Sequence, residues 1–363
     1  MHGKPAMGHR SNRPTFLCRR GLTVMNGTNE RYSSYSLVRE MLETPQIVAG
    51  FDSSGLADLG KKIGAVDRLL MTGEGSSRLF PAKSAITHAS RKGWPLSLST
   101  EAGRQATEYD LSNSAVFALS NSGKTAEVIR LFKSLKESGH ENCYSLSATP
   151  DSPLEELANL GFVLNCGKEN AVAATKSVAE QALFYRALLE HAAGEPSVAT
   201  RQADLAGMME TALTTQIDPA LVSRIANAGT IYWAGRNDGV TEELTLKTNE
   251  ITRKKSDFLE GTYAVHGIEE VMDAEDVVLW VEPYEESEEK FREVLCNGIG
   301  LEIIAISSRK TSYPTIQIPD AGDLGEFVQI AAGWNVLVEV GIALGIDLDK
   351  PERARKVGNE FVD

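Results

Sequence analysis

The chain has no excess of positive charge, no clustered cysteine and no long apolar run. Its 363 residues carry a formal net charge of −13 with His neutral. That balance excludes nucleic acid and anionic membrane as main partners, since both select basic surface. A phosphorylated small molecule stays possible, because backbone N–H groups and hydroxyls can hold one. The four cysteines, Cys18, Cys143, Cys166 and Cys296, are far apart and form no CxxC. They exclude a zinc ribbon or a disulfide framework and fit a reducing cytoplasm, the expected location. No run of about 18 apolar residues predicts a membrane span. The opening "MHGKPAMGHRSNRPTFLCRRGLTV" is polar and basic, without the apolar segment of a secretory signal. A disordered tail is expected over residues 1–34, with a more ordinary beginning at Met25.

What is present is an α/β pattern given twice. Hydrophobic residues make up 42% and charged residues 24%, ordinary for a chain with a sizeable core. Short apolar runs alternate with amphipathic stretches: "DRLLMTGEGSSRLF", "SAVFALSNSGKTAEVIRLF", "CYSLSATPDSPLEELA". Alternation of that kind predicts a parallel sheet covered by helices on both faces. Helical spacing runs from about Ser36 to Ile63, and a helical connection is expected over about 196–216. The order then restarts with "GTIYWAGRNDGVTEEL", "DVVLWVEPYEESEEKF", "LEIIAISS" and "TIQIPD", and ends on a long helix. This indicates an old internal duplication, with domains over 35–200 and 201–363. The halves differ in their loops. "GEGSS" and "SNSGKT" of the first half correspond to "GRNDG" and "EPYEESEE" of the second. A carboxylate-lined loop does not suit a phosphate, so one phosphate site is expected, in the first half.

"SNSGKT" ends like an ATP-binding P-loop. The position five before Gly123 is nevertheless Ala118, where a Walker A loop needs Gly, and no later strand ends in a clear Mg²⁺-binding Asp. Ser120, Asn121, Ser122 and Thr125 instead offer four short polar side chains before a helix N-terminus, enough for one phosphomonoester without a metal. Plain helix capping would explain one of these residues, not four.

This loop resembles the S-x-S-G-x-[ST] loop of the sugar isomerase (SIS) domain. The sequence is similar to the isomerase half of glucosamine-6-phosphate synthase, built from two such domains, and to stand-alone SIS deaminases and fructosamine-6-phosphate deglycases. The likeness runs from about residue 35 to the end. It implies two tandem SIS domains, each a flavodoxin-like parallel sheet. "GEGSS" resembles the family's first loop and implies sugar and phosphate contacts at Ser76 and Ser77. "NAVAATK" resembles V-A-S-T-K, implying that the backbone at Val172 borders the sugar; Ala174 stands where that pattern has Ser.

Glu243 and Glu250 share a helical face, with Lys247 between them at i+4 and i−3. By spacing alone this is a solvated, salt-bridged helix. The resemblance of "ELTLKTNEIT" to E-G-A-L-K-L-K-E-I-[ST] implies instead that Glu250 is the catalytic base, supported by Glu243 and Lys247. His266, in the Gly-flanked loop "TYAVHGIEE", reads alone as a surface histidine. It resembles the family's ring-opening His-Gly-Pro, with Ile268 in place of Pro; Glu260 before it has no assigned role. In the resembled family this His comes from a neighbouring subunit, which implies a homodimer with sites at its interface. Lys356 falls on the Lys of a D-x-D-x-P-x-x-x-x-K tail, implying site closure or a Schiff base with the open sugar.

The expectation is a cytoplasmic, metal- and cofactor-independent enzyme on a 6-phosphorylated amino sugar, with deaminase-like chemistry. Deglycation or simple aldose–ketose isomerisation is the alternative. The length leaves no room for a glutaminase half, so glutamine-dependent amination is not expected. A non-catalytic sugar-phosphate sensor is the reading from another class. The presence of Glu250, His266 and Lys356 speaks against it.

Overall fold

The computed structural model describes residues 24–356 and 358–361. Ten strands form two five-stranded parallel sheets. The first contains β1 (Arg68–Gly73), β2 (Ser97–Ala102), β3 (Ala115–Leu119), β4 (Cys143–Ser147) and β5 (Leu160–Val163), in the order β2-β1-β3-β4-β5. The second contains β6 (Thr230–Gly235), β7 (Lys255–Glu260), β8 (Val277–Val281), β9 (Glu302–Ser307) and β10 (Thr315–Gln317), in the order β10-β9-β8-β6-β7. Read from β7, this is the first order again. In both sheets the strand order reverses beside the first strand, and that switch point is where open α/β sheets bind ligands.

The alternation of side chains along each strand feeds separate apolar clusters. Ala115, Phe117 and Leu119 of β3 enter a central cluster, while Val116 and Ala118 enter an outer one. Ile231 and Trp233 of β6 join the same central cluster, while Tyr232 and Ala234 enter a second outer one. The inner faces of both sheets therefore share one core. Helices that fill it include Ser36–Ala49, Lys176–Ala193, Val198–Thr214 and Gly325–Ala343. Gly325–Ala343 lies in the segment 322–343, which has the length and composition of a membrane span. That segment is largely buried inside the protein, with Phe327, Trp334 and Leu337 in the core.

Three expectations need adjustment. Residues 1–23 lie outside the described residues, but 24–34 are packed rather than disordered. Met25 and Tyr32 are buried, and Tyr32 Oη donates to Glu339 Oε1 at 2.5 Å. Apolar burial and a bond to the last helix hold this segment down. The division at residue 200 falls inside helix Val198–Thr214, which packs on both Ser36–Ala49 and Gly325–Ala343. The helical spacing read from Ser36 to Ile63 breaks around Gly50–Ser53 into helices Ser36–Ala49 and Ala57–Gly64.

Candidate active site

The main cleft, about 690 Å³, opens at the C-terminal ends of β1 and β3, the switch point of the first sheet. Its floor is the pair of hydroxyl loops. Ser76 and Ser77 form a turn after β1, and Ser122 and Thr125 precede the helix Ala126–Glu137; all four line the cleft. Gly123 makes the second loop possible. Its φ is +64°, and a Cβ there would stand 2.3 Å from Ser152 Cβ. Ser120 is buried below the cleft and bonds Thr125 Oγ1 at 2.9 Å, so it positions the threonine rather than facing the cleft. Lys124 points away and pairs with Glu360 at 3.1 Å, which removes the last likeness to an ATP site.

The opposite wall is the helix Val240–Thr252. It starts where Asp238 Oδ1 accepts from Val240 N at 3.1 Å. The hydroxyls of Thr245, Thr248 and Thr252 each bond the carbonyl one turn back, and Trp233 Nε1 donates to Thr248 Oγ1 at 2.7 Å. This helix is no solvated face. Lys247 and Glu243 are wholly buried, and Glu250 alone of the three lines the cleft. Lys247 Nζ lies 3.1 Å from Glu243 Oε1 and 2.6 Å from Glu250 Oε2. It also donates to Ser76 Oγ at 2.7 Å. One buried ammonium thus ties the helix to the first hydroxyl loop. Burial alone would depress its pKa, but Glu243 and Glu250 outweigh that and hold it above the ordinary lysine value. Burial pushes the Glu243 carboxyl up, with Lys247 opposing.

A second polar hub lies beside it, at Glu169. This residue is 1% exposed. It accepts from Asn121 Nδ2 at 2.9 Å, from Thr175 N at 2.8 Å and from the Ser177 hydroxyl. Burial would raise its carboxyl, but Lys356 and the Ser177 bond outweigh it and hold it below the usual carboxylate value. Lys356 Nζ stands 3.7 Å from Glu169 Oε2 and makes no hydrogen bond. Burial draws the Lys356 amine below its ordinary value, against the opposing pull of Glu169. The segment carrying it is fastened at both ends. Asp349 accepts from Ser36 N at 2.6 Å and Leu37 N at 2.9 Å, capping a helix. Asn359 O accepts from Ala126 N at 3.0 Å, and Phe361 N donates to Lys124 O at 2.9 Å.

The cleft thus brings together Ser76, Ser77, Asn121, Ser122, Thr125, Val172, Glu250 and Lys356, with Ala174 also on its wall. His266 is not among its lining residues. It is exposed, in the turn after the edge strand β7, with Glu260 at the end of that strand also exposed. Glu169 and Ser177 were missed in the sequence; the signal was Glu169 three positions before Val172 in "KENAVAATK". Among the described residues, no three His, Cys, Asp or Glu side chains converge as a metal would require.

Residues 66–191 match the family model of the SIS domain. The glutamine–fructose-6-phosphate aminotransferase (isomerizing) of Haemophilus ducreyi is 24% identical over 267 residues, 67% of this chain. The chain spans 43% of that relative's length. Three solved structures share the fold. The C-terminal domain of glucosamine-fructose-6-phosphate aminotransferase from Francisella tularensis superposes with a TM-score of 0.73 at 16% identity, over 87% of this chain and 98% of its own. Glucosamine-6-phosphate deaminase from Thermotoga maritima gives 0.71 at 19%, over 89% and 99%. Tagatose-6-phosphate ketose/aldose isomerase from Escherichia coli gives 0.74 at 16%, over 90% and 99%.

Proposed function

We propose that this SIS-domain chain is an enzyme that acts on a 6-phosphorylated amino sugar by ring opening and proton transfer between C1 and C2. The observation that carries this is the placement of Glu250. Its carboxylate faces the cleft of the hydroxyl loops, and Lys247 Nζ holds it in place at 2.6 Å from Oε2. Ser77, Ser122 and Thr125 bind the phosphate, with the helix N-terminus behind them. Ser76 and the Val172 backbone border the sugar.

In the reaction, His266 delivers a proton to the ring oxygen as the anomeric hydroxyl loses its own. Glu250 then takes the C2 proton and returns it to C1, while the C1 oxygen gains a proton and the amine loses one, leaving a hydroxymethyl group at C1 and an imine at C2. Water hydrolyses that imine to a ketose 6-phosphate and ammonia. Lys356, its amine drawn toward the neutral form, covers the open sugar. Because His266 lies off its own cleft, it serves the cleft of a second copy, making the active form a homodimer. Deglycation of a fructosamine 6-phosphate is the second reading.

The test is turnover of hexosamine, hexose and fructosamine 6-phosphates, reading ammonia, amine and ketose. Glu250→Gln should lower kcat by roughly 10²–10⁴-fold with sugar-phosphate binding nearly intact. Unchanged turnover in that variant would overturn the mechanism. Saturable binding with no product from any of the three sugars would make the chain a sensor.

A further inference from the structure

The hydroxyl loops leave the charge of a phosphate unanswered. A phosphomonoester carries about 1.5 to 2 negative charges near neutral pH. The chain carries a net −13, which repels such a group unless the cleft reverses the field locally. Four carboxylates also line the cleft, Glu74, Glu127, Glu169 and Glu250. The helix behind the second hydroxyl loop offsets little of this. The N–H of its first residue, Ala126, is taken by the Asn359 carbonyl at 3.0 Å. Glu127 stands in its first turn, where a carboxylate already answers the helix dipole.

Each of those carboxylates has a donor inside the protein. Glu74 accepts from Gly103 N at 2.9 Å, and Glu127 accepts from Asn359 Nδ2 at 2.6 Å. Glu250 is held by Lys247, and Glu169 by Asn121, Thr175 and Ser177, with Lys356 beside it. Two cations of the cleft have no such commitment. Lys168 and Arg355 both line it, both are exposed, and among the described residues neither has a hydrogen-bond or ion-pair partner. Lys168 precedes Glu169 and Arg355 precedes Lys356, and Glu169 and Lys356 meet at 3.7 Å. The free cations therefore stand on the two segments that come together there. Glu169 in turn accepts from Asn121 of the second hydroxyl loop at 2.9 Å, which joins this meeting point to the phosphate loop. An arginine and a lysine left free beside hydroxyls match a phosphate: the guanidinium forks onto two oxygens and the ammonium adds a mobile point charge.

We propose that Lys168 and Arg355 are the charge-selecting residues of the cleft, drawing the phosphorylated sugar in and holding phosphate oxygens that the hydroxyl loops leave free. The proposal rests on the reading of the cleft as a sugar-phosphate site. Neither residue is one that the family patterns specify. Lys168 lies before "NAVAATK", and Arg355 occupies an unspecified position of D-x-D-x-P-x-x-x-x-K.

The experiment is calorimetry of hexosamine, hexose and fructosamine 6-phosphates on the full chain at low and high salt. Glu250→Gln is the parent, so that turnover does not add heat. Adding Lys168→Gln and Arg355→Gln together should weaken binding at least ~10-fold at low salt, as expected for lost charge-assisted hydrogen bonds. Added salt should weaken binding to the parent and barely affect the cleft variant, because the charges it screens are gone. Lys61→Gln with Lys62→Gln lowers the net charge equally, on an exposed helix outside the cleft, and should bind as the parent does. Parental affinity in the cleft variant, an undiminished salt dependence, or an equal loss in the Lys61 and Lys62 variant would each overturn the proposal and leave the reading of the cleft in place. Failure of the parent and the wild type to bind any of the three sugars would overturn both.

Discussion

Lys247 links the two walls of the cleft, and its burial sets what happens when it is removed. Its ammonium lies between Glu243 and Glu250 and reaches Ser76 on the facing loop. Surface ion pairs of this spacing contribute little, but a buried pair that loses one member leaves an uncompensated charge. Lys247→Ala should therefore destabilise the fold by roughly 3–5 kcal/mol. Adding Glu243→Gln should recover part of that loss, because Glu243 is the fully buried carboxylate left behind. Urea unfolding of both variants checks this. A loss below about 1 kcal/mol in the single variant would mean that the pair behaves as an exposed one. The spacing of Glu243, Lys247 and Glu250 was legible in the sequence; their burial was not. The same i, i+3 and i+4 pattern suits a solvated face and a buried one, and only the packing of this helix against the first half decides between them.

Helices and loops meet at positions where glycine has no substitute. Gly239 opens the helix Val240–Thr252 with φ +88°, and a Cβ there would stand 2.4 Å from the backbone carbonyl of Leu79. The helix is thereby docked on the element that follows the first hydroxyl loop. Gly261 has a similar φ of +59° but nothing within 4 Å. Gly261→Ala should cost only the left-handed conformation, about 1–2 kcal/mol. Gly239→Ala adds a backbone clash that no rotamer can relieve. It should cost more than Gly261→Ala and also lower kcat, because it moves Glu250 relative to the loops. Chemical denaturation and turnover of the two variants side by side test this; equal effects would mean that the close approach is unimportant. At this scale the sequence was readable wherever strands are buried on both sides. β1, β3, β6, β8 and β9 are dominated by apolar residues and were found, as were β4, whose run two serines interrupt, and the edge strand β10 in "TIQIPD". The edge strands β2 and β7 were missed. "SLSTEA" and "KSDFLE" pair on one side only and are half exposed, so neither makes an apolar run.

At the scale of the molecule, the second sheet's topology leaves the proposed acid, His266, outside the cleft that the proposed base, Glu250, lines. The helix Val240–Thr252 follows β6 and brings Glu250 to the first half's cleft, while β7 lies at the sheet edge and leads to the exposed His266. Two large apolar side chains near His266 are exposed, Tyr263 at 48% and Val271 at 66%, beside Glu269 and Glu270. Exposed apolar side chains beside a functional group suit an interface, and a two-fold axis would let each subunit serve the other's cleft. The proposed arrangement makes a complementation prediction. Glu250→Gln and His266→Ala homodimers should each be inactive. When the two chains are unfolded together and refolded as an equal mixture, half the dimers are mixed, and one of the two sites in each mixed dimer has both an intact Glu250 and an intact His266. Activity should return to about a quarter of the wild-type level on the statistics of a two-fold dimer. If both groups came from one chain, every site in the mixture would lack one of them, and no activity would return. Turnover of the refolded mixture, with its dimer content measured by light scattering, separates the two arrangements.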